Sequence, residues 1–228
     1  MRSNPAPIIR ESGKQPQHSI IWLHGLGADG QDFVPIAGEL DLPVAVRYMF
    51  PHAPMRPVTI NGGYVMRAWY DIANPSIDAQ QDADGIRTSQ AAVEALIAKE
   101  VALGIAPADI FLAGFSQGGA IALHTALRQR VPIGGVLALS TYLPLADCVP
   151  VELQPGTRTT PIFMAHGRSD PVIPYVKGVA SKDALLELGY AVTWQEYAME
   201  HSVCEEELRD IETWLALQIK KQRLGASG

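Results

Sequence analysis

The sequence predicts an α/β domain, with a mostly parallel central sheet covered by helices on both faces. Three observations lead there. Short apolar runs with the look of buried strands recur along the chain. Segments of helical periodicity separate them, and that alternation is the pattern of a parallel sheet. In Phe111-Leu-Ala-Gly-Phe-Ser-Gln-Gly-Gly-Ala120 one such run passes through a glycine-bracketed turn straight into a helix.

The 228 residues suit one domain, 1–228, with 1–18 and 222–228 as peripheral tails. Apolar residues at 47% and charged residues at 18% exclude a disordered chain and a basic nucleic-acid binder, and a net charge of -6 repels phosphate backbones. The first residues lack the apolar core of a signal peptide, and no apolar run approaches the ~18 residues of a membrane span. A cytoplasmic protein without a transmembrane segment is the expectation. Cys148 and Cys204 are read as free thiols. The six histidines show no paired metal-ligand spacing, so neither a metal nor a cofactor is expected.

In chain order, 19–23 is the first strand, and His24-Gly-Leu-Gly27 follows it at once. Residues 31–40 read as a short helix interrupted by Pro35, and 44–50 as a strand ended by Pro51. From 51 to 81 the chain carries prolines, the Gly62-Gly63 pair and the aromatics Tyr64, Trp69 and Tyr70, which reads as a long functional loop. Trp69, Met66 and Val65 are its candidate substrate-binding residues; the alternative for Trp69 is plain packing. A helix at 84–103 stops at Gly104. The strand at 110–113 leads to a helix at 120–127, and 135–139 is again a buried strand. Residues 148–159 read as surface loop. Strands at 161–165 and 191–197 enclose a helix at 175–188, and an amphipathic helix at 206–219 closes the chain with Leu208, Ile211, Leu215 and Ile219 inward.

The chemistry centres on Ser116, bracketed by Gly114 and Gly118 as GxSxG. A Cβ at either glycine would strike the neighbouring turn, and the helix start offers N–H groups and a positive partial charge to a developing oxyanion. A serine hydroxyl needs a base, and histidine is the usual one. His124 lies about 12 Å along the helix from the serine at ~1.5 Å per residue, out of reach. His24 and His166 each precede a glycine at a strand end, where a turn or hydrogen-bonding role is expected. His201 follows the last strand and has a strand-end acid between it and the serine, in the order serine, acid, histidine. Asp170, after the penultimate strand, is the expected acid; Asp147 is the reserve, and Asp183 sits inside a helix. The Leu26 N–H, from the double-glycine turn, and the Gln117 N–H are the expected oxyanion donors.

Four stretches carry a resemblance: Trp22-Leu-His-Gly-Leu-Gly-Ala-Asp29, Ala113-Gly-Phe-Ser-Gln-Gly-Gly119, Ala165-His-Gly-Arg-Ser-Asp170 and Tyr197-Ala-Met-Glu-His201. In this order they resemble the small carboxylesterase and acyl-protein thioesterase branch of the α/β-hydrolases, from about residue 20 to 215. The loop from Asn61-Gly-Gly to Trp69-Tyr-Asp71 and Leu139-Ser-Thr-Tyr142 are similar to its bacterial carboxylesterases. The resemblance implies an α/β-hydrolase fold and a serine carboxylic-ester hydrolase, possible substrates being small esters, lipid acyl esters or acylated proteins. It implies the triad Ser116, Asp170, His201, an oxyanion hole at Leu26 and Gln117, and a shallow apolar groove without a large helical lid. Glu200 departs from it, standing where glycine usually precedes the histidine. A lactonase or amide hydrolase with the same triad, and a non-catalytic ligand-binding relative, are the alternatives. A homodimer is the assembly to test.

Overall fold

The computed structural model describes residues 5–74 and 80–225. The strands are β1 (Ile8–Glu11), β2 (His18–Leu23), β3 (Val46–Phe50), β4 (Met55–Val58), β5 (Tyr64–Arg67), β6 (Ile110–Phe115), β7 (Gly135–Leu139), β8 (Ile162–Gly167) and β9 (Val192–Tyr197). The helices are α1 (Ile36–Glu39), α2 (Ala83–Ala102), α3 (Gln117–Ala126), α4 (Val149–Glu152), α5 (Tyr175–Glu187) and α6 (Glu205–Gly225). Seven strands form one sheet in the order β1-β3-β2-β6-β7-β8-β9, parallel throughout except where β1 meets β3, while β4 and β5 pair separately.

Period-two alternation explains why the strands read as continuous apolar runs. Ile21 and Leu23 of β2, Leu112 of β6, Val136 of β7 and Met164 of β8 pack with α2, α3 and α5 on one face. Their neighbours Ile20, Trp22, Phe111, Leu137 and Phe163 pack under α6 on the other. Both sets are buried, so no polar residue interrupts the pattern. Each such side chain contributes about 1.5–3 kcal/mol by leaving water.

Register then decides where chemistry can sit. Leu23 lies opposite Gly114, Phe115 opposite Leu139 and Gly167 opposite Tyr197. The segments after β2, β6, β8 and β9 therefore emerge at one carboxyl edge, and these carry Leu26, Ser116, Asp170 and His201.

Several boundaries differ from the sequence reading. Residues 1–18 are not wholly a tail: β1 pairs antiparallel with β3 at the sheet edge, and His18 opens β2. An edge strand needs little apolar surface, and the Arg47–Glu11 ion pair at 2.6 Å supports it, so its signal in the sequence is faint. At the other end α6 continues to Gly225, into the expected tail, while residues 1–4 and 226–228 lie outside the described residues. The 51–81 loop holds the β4–β5 hairpin, closed by Gly62 (φ 65°) and Gly63 (φ 79°), with the Gly63 N–H donating to the Val58 carbonyl at 3.0 Å. Strands of four residues, one bearing Pro57, are too short to show a pattern. Residues 75–79 of that loop lie outside the described residues. The surface segment after Cys148 contains α4 and a turn of 3-10 helix at Pro155–Thr159. Cys148 and Cys204 are free thiols, and no described helix is long and apolar enough to cross a membrane.

One buried carboxyl gives the fold a pH dependence. Glu207 on α6 is wholly buried, and neither carboxyl oxygen has a hydrogen-bond partner of normal geometry among the described residues. Burial above all, opposed by the Cys204 N–H and helped to a lesser degree by Asp210, pushes its pKa from 4.5 up to about 8. Between those values the folded chain holds a proton that the unfolded chain releases, so this group lowers stability as pH rises. Glutamine mimics the protonated carboxyl. Glu207→Gln is expected to raise the melting temperature little at pH 5 and most at pH 8, where at ~1.4 kcal/mol per pKa unit the gain is a few kcal/mol. Thermal melts across that range check it; a gain independent of pH would sink the account.

Candidate active site

Ser116 lies at the tip of a strained elbow between β6 and α3, with φ 55° and ψ -122°. Such a backbone costs on the order of 1–3 kcal/mol unless its surroundings impose it. Here they do. The Ser116 N–H donates to the Leu139 carbonyl at 2.9 Å, and the Ser116 carbonyl accepts from the Thr141 hydroxyl at 2.7 Å and the Ala120 N–H at 3.1 Å. The flanking glycines are required by contact distance: a Cβ on Gly114 would lie 2.4 Å from the Gly118 carbonyl, and one on Gly118 would lie 2.3 Å from the Leu23 carbonyl oxygen. β6 and α3 close onto each other and onto the end of β2 only because both side chains are missing.

Asp170 and His201 meet as the sequence order suggests. The Asp170 carboxylate is fully buried; its Oδ1 accepts the Val172 and Ile173 N–H groups at 2.8 and 2.9 Å, and its Oδ2 accepts from His201 Nδ1 at 2.7 Å. A carboxylate only accepts, so Nδ1 carries a proton towards Asp170 and Nε2 lies on the far side of the ring. The His201 ring packs against Phe115, the residue before Ser116, with centroids 4.6 Å apart. Asp147, the reserve acid, is exposed on a turn after β7. Glu200 is exposed and its φ is not positive, so the glycine usual at this place is not needed to shape the loop.

Three of the other histidines are held by burial, two of them with hydrogen bonds as well. His124 is inside the wholly buried α3, and burial foremost, then Arg128, pushes its pKa down to about 3. His166 is buried beside Asp170; its Nε2 donates to the Ile173 carbonyl at 2.9 Å, and burial keeps its pKa low. His24 accepts the Ala53 N–H on Nε2 at 2.9 Å and donates from Nδ1 to the Gly25 carbonyl at 2.7 Å. That pair of bonds uses the neutral ring on both sides, which fits a pKa lowered chiefly by burial.

His24 thereby pins the loop that carries Leu26. Gly25 lies against the serine, since a Cβ there would be 3.4 Å from Ser116 Cβ. The Gly27 N–H donates to the Arg67 carbonyl at 2.9 Å, tying the loop to β5. The Gln117 N–H opens α3, where no intrahelical carbonyl can take it, and among the described residues no protein carbonyl takes the Leu26 N–H. Gln117 follows Ser116 directly in the chain, and the loop that carries Leu26 packs against the serine at Gly25.

The three expected substrate-binding residues separate. Trp69 is buried behind the His24–Gly27 loop: its indole N–H donates to the His24 carbonyl at 2.9 Å and its backbone N–H to Gln117 Oε1 at 2.8 Å, while the Ser89 hydroxyl donates to its carbonyl. Met66 packs beside Gly27, and Val65 faces solvent on the hairpin. A cavity of 220 Å³ next to Leu26 is walled instead by Ile60, Tyr70, Ile72, Tyr142, Val172 and Ile173. The Gln117 side chain, whose Nε2 also donates to the Tyr70 carbonyl at 2.8 Å, ties this wall to the elbow. No local sequence signal marks that role, because the amide's partners lie 47 and 48 residues away.

Comparison with known proteins agrees with this architecture. The family model described as Phospholipase/Carboxylesterase matches residues 4–219. Acyl-protein thioesterase 1 of Neurospora crassa is 40% identical, across 94% of this chain and 92% of that protein. The crystal structure of Arabidopsis thaliana SOBER1 superposes with a TM-score of 0.84 at 32% identity, over 89% of this chain and 99% of that one. That of Zea mays acyl-protein thioesterase 2 gives 0.81 at 31%, over 92% and 98%. A fold, an elbow and an alignment that runs through every segment of the site lead to one statement: the chain belongs to the phospholipase/carboxylesterase family of α/β-hydrolases and is a serine hydrolase acting on ester or thioester bonds.

Proposed function

We propose that Ser116, His201 and Asp170 carry out a two-step acyl transfer to water, with the Leu26 and Gln117 N–H groups as the oxyanion hole. The observation that carries this reading is the 2.7 Å bond from His201 Nδ1 to a buried carboxylate at the sheet edge where Ser116 emerges. Ser116 Oγ attacks the acyl carbonyl as His201 Nε2 takes its proton, and the carbonyl oxygen becomes an oxyanion facing the two N–H groups. The tetrahedral intermediate collapses, the bond to the alcohol or thiol sulfur breaks, and His201 returns the proton to that leaving group. Water then attacks the acyl-Ser116 ester with His201 again as base, and the acid departs as Ser116 is restored. Asp170 holds the Nδ1–H tautomer and stabilises the transient imidazolium.

The apolar cavity beside Leu26 suits an acyl chain, and thioesters of acylated proteins are a substrate class that the thioesterase relatives support. A cytoplasmic location and a homodimer complete the proposal. The test is a quenched-flow reaction with p-nitrophenyl butyrate and, in parallel, an S-butyrylated peptide. An early release of one p-nitrophenol per chain and a butyryl mass on the Ser116 peptide are expected. Turnover without any acyl adduct on Ser116 would overturn the mechanism, and the peptide arm decides whether thioesters are accepted.

A further inference from the structure

We propose that Tyr142 is the wall that sets acyl-chain length, closing the cavity beside Leu26 off from a larger cavity behind it; this rests on the hydrolase reading above. The second cavity, of 400 Å³, is lined by Leu143, Leu145, Ala180 and Ala184, with Asp147 and Lys177 among its polar residues. The two cavities share two walls, Tyr142 and Gln81.

Both shared walls are held in place. The hydroxyls of Tyr142 and Tyr70 hydrogen-bond to each other at 2.7 Å in a buried setting, and burial, the main cause, raises the pKa of each phenol so that both stay neutral. On either side of Tyr142 the backbone is anchored, by the Thr141 hydroxyl to the Ser116 carbonyl and by the Leu143 N–H to the Ser181 hydroxyl at 2.8 Å. Gln81 is fixed by accepting the Leu145 N–H on Oε1 at 2.9 Å. With its hydroxyl engaged by that of Tyr70, Tyr142 presents mainly its ring to whatever fills the first cavity. An acyl chain entering beside Leu26 runs past Ile72 and Ile173 and ends against that ring. A longer chain must bend out to water, while the apolar side chains of the second cavity stay out of its reach. Removing the ring joins the two spaces.

The experiment measures kcat/KM for p-nitrophenyl esters from acetate to palmitate. In the unaltered protein the value is expected to fall at least tenfold between the best chain and palmitate. Tyr142→Ala, and the double variant Tyr70→Phe/Tyr142→Ala that leaves no phenol unpaired, are expected to raise the palmitate-to-butyrate ratio at least tenfold. Tyr142→Phe keeps the ring and is expected to keep the profile. Adding Ala184→Trp to Tyr142→Ala fills the second cavity and is expected to cancel the gain. A flat profile in the unaltered protein overturns the proposal without any variant, as does a ratio that stays within twofold in folded alanine variants, with Tyr142→Leu standing in if those do not fold. If the unaltered protein cleaves no ester of any length, the hydrolase reading has failed rather than the wall.

Discussion

Ser116→Ala is expected to lower kcat on p-nitrophenyl butyrate by on the order of 10⁴–10⁶-fold while the fold survives, since serine hydrolases stripped of their nucleophile keep only what binding and oxyanion donors supply. The structural cost is small because the elbow is held through the backbone. Its bonds run from the Ser116 N–H to the Leu139 carbonyl and from the Thr141 hydroxyl and Ala120 N–H to the Ser116 carbonyl, and alanine keeps all three. Alanine also has the same Cβ, so the strain at φ 55° is unchanged. Equal melting temperatures with activity lost separate a chemical role from a structural one. Retained turnover in the alanine variant would remove Ser116 from the mechanism.

What the sequence made legible follows from how local each signal is. GxSxG encodes much of its own geometry, because a Cβ on Gly114 would strike the Gly118 backbone and one on Gly118 would strike Leu23 and His24 at the end of the adjacent strand. Strands buried on both faces announce themselves as apolar runs, so β2, β6, β7 and β8 were within reach of pattern reading, while β9, partly exposed, alternates and is rich in strand-forming residues. The edge strand β1 and the hairpin β4–β5 were not, since short strands with one wet face and prolines leave little periodicity. The same contrast holds inside the site. Asp170 and His201 could be found from chain order, whereas the supports of the oxyanion loop could not. Trp69 stands out as an aromatic in a long loop and reads as substrate-binding, with plain packing as the alternative. Its bonds to the His24 carbonyl and to Gln117 make it a strut, and those contacts span 45 and 48 residues. The cavity walls Ile60, Ile72 and Ile173 carry no mark beyond being apolar.

Asp170→Asn is expected to reduce kcat by about 10³–10⁴-fold, with the fold kept, through the tautomer it imposes on His201. The carboxylate has two separate tasks. Oδ1 accepts two backbone N–H groups, from Val172 and Ile173, and Oδ2 accepts the proton on His201 Nδ1. An asparagine at this place satisfies the two N–H donors only by turning its oxygen towards them, which directs its NH₂ at His201. A donor then faces Nδ1, so the ring must shed its Nδ1 proton and carry it on Nε2, the nitrogen that should receive the Ser116 proton. The neighbouring His166 offers no remedy, because its Nε2 already donates to the Ile173 carbonyl. The loss should fall on kcat, since Asp170 lies beneath the imidazole and outside the walls of the acyl cavity. Steady-state kinetics on p-nitrophenyl butyrate check this, and nitrogen NMR of the histidine rings reads the tautomer directly. A variant that keeps the Nδ1–H form, or that loses affinity for substrate with kcat unchanged, would show that Asp170 serves the loop's structure and not the base.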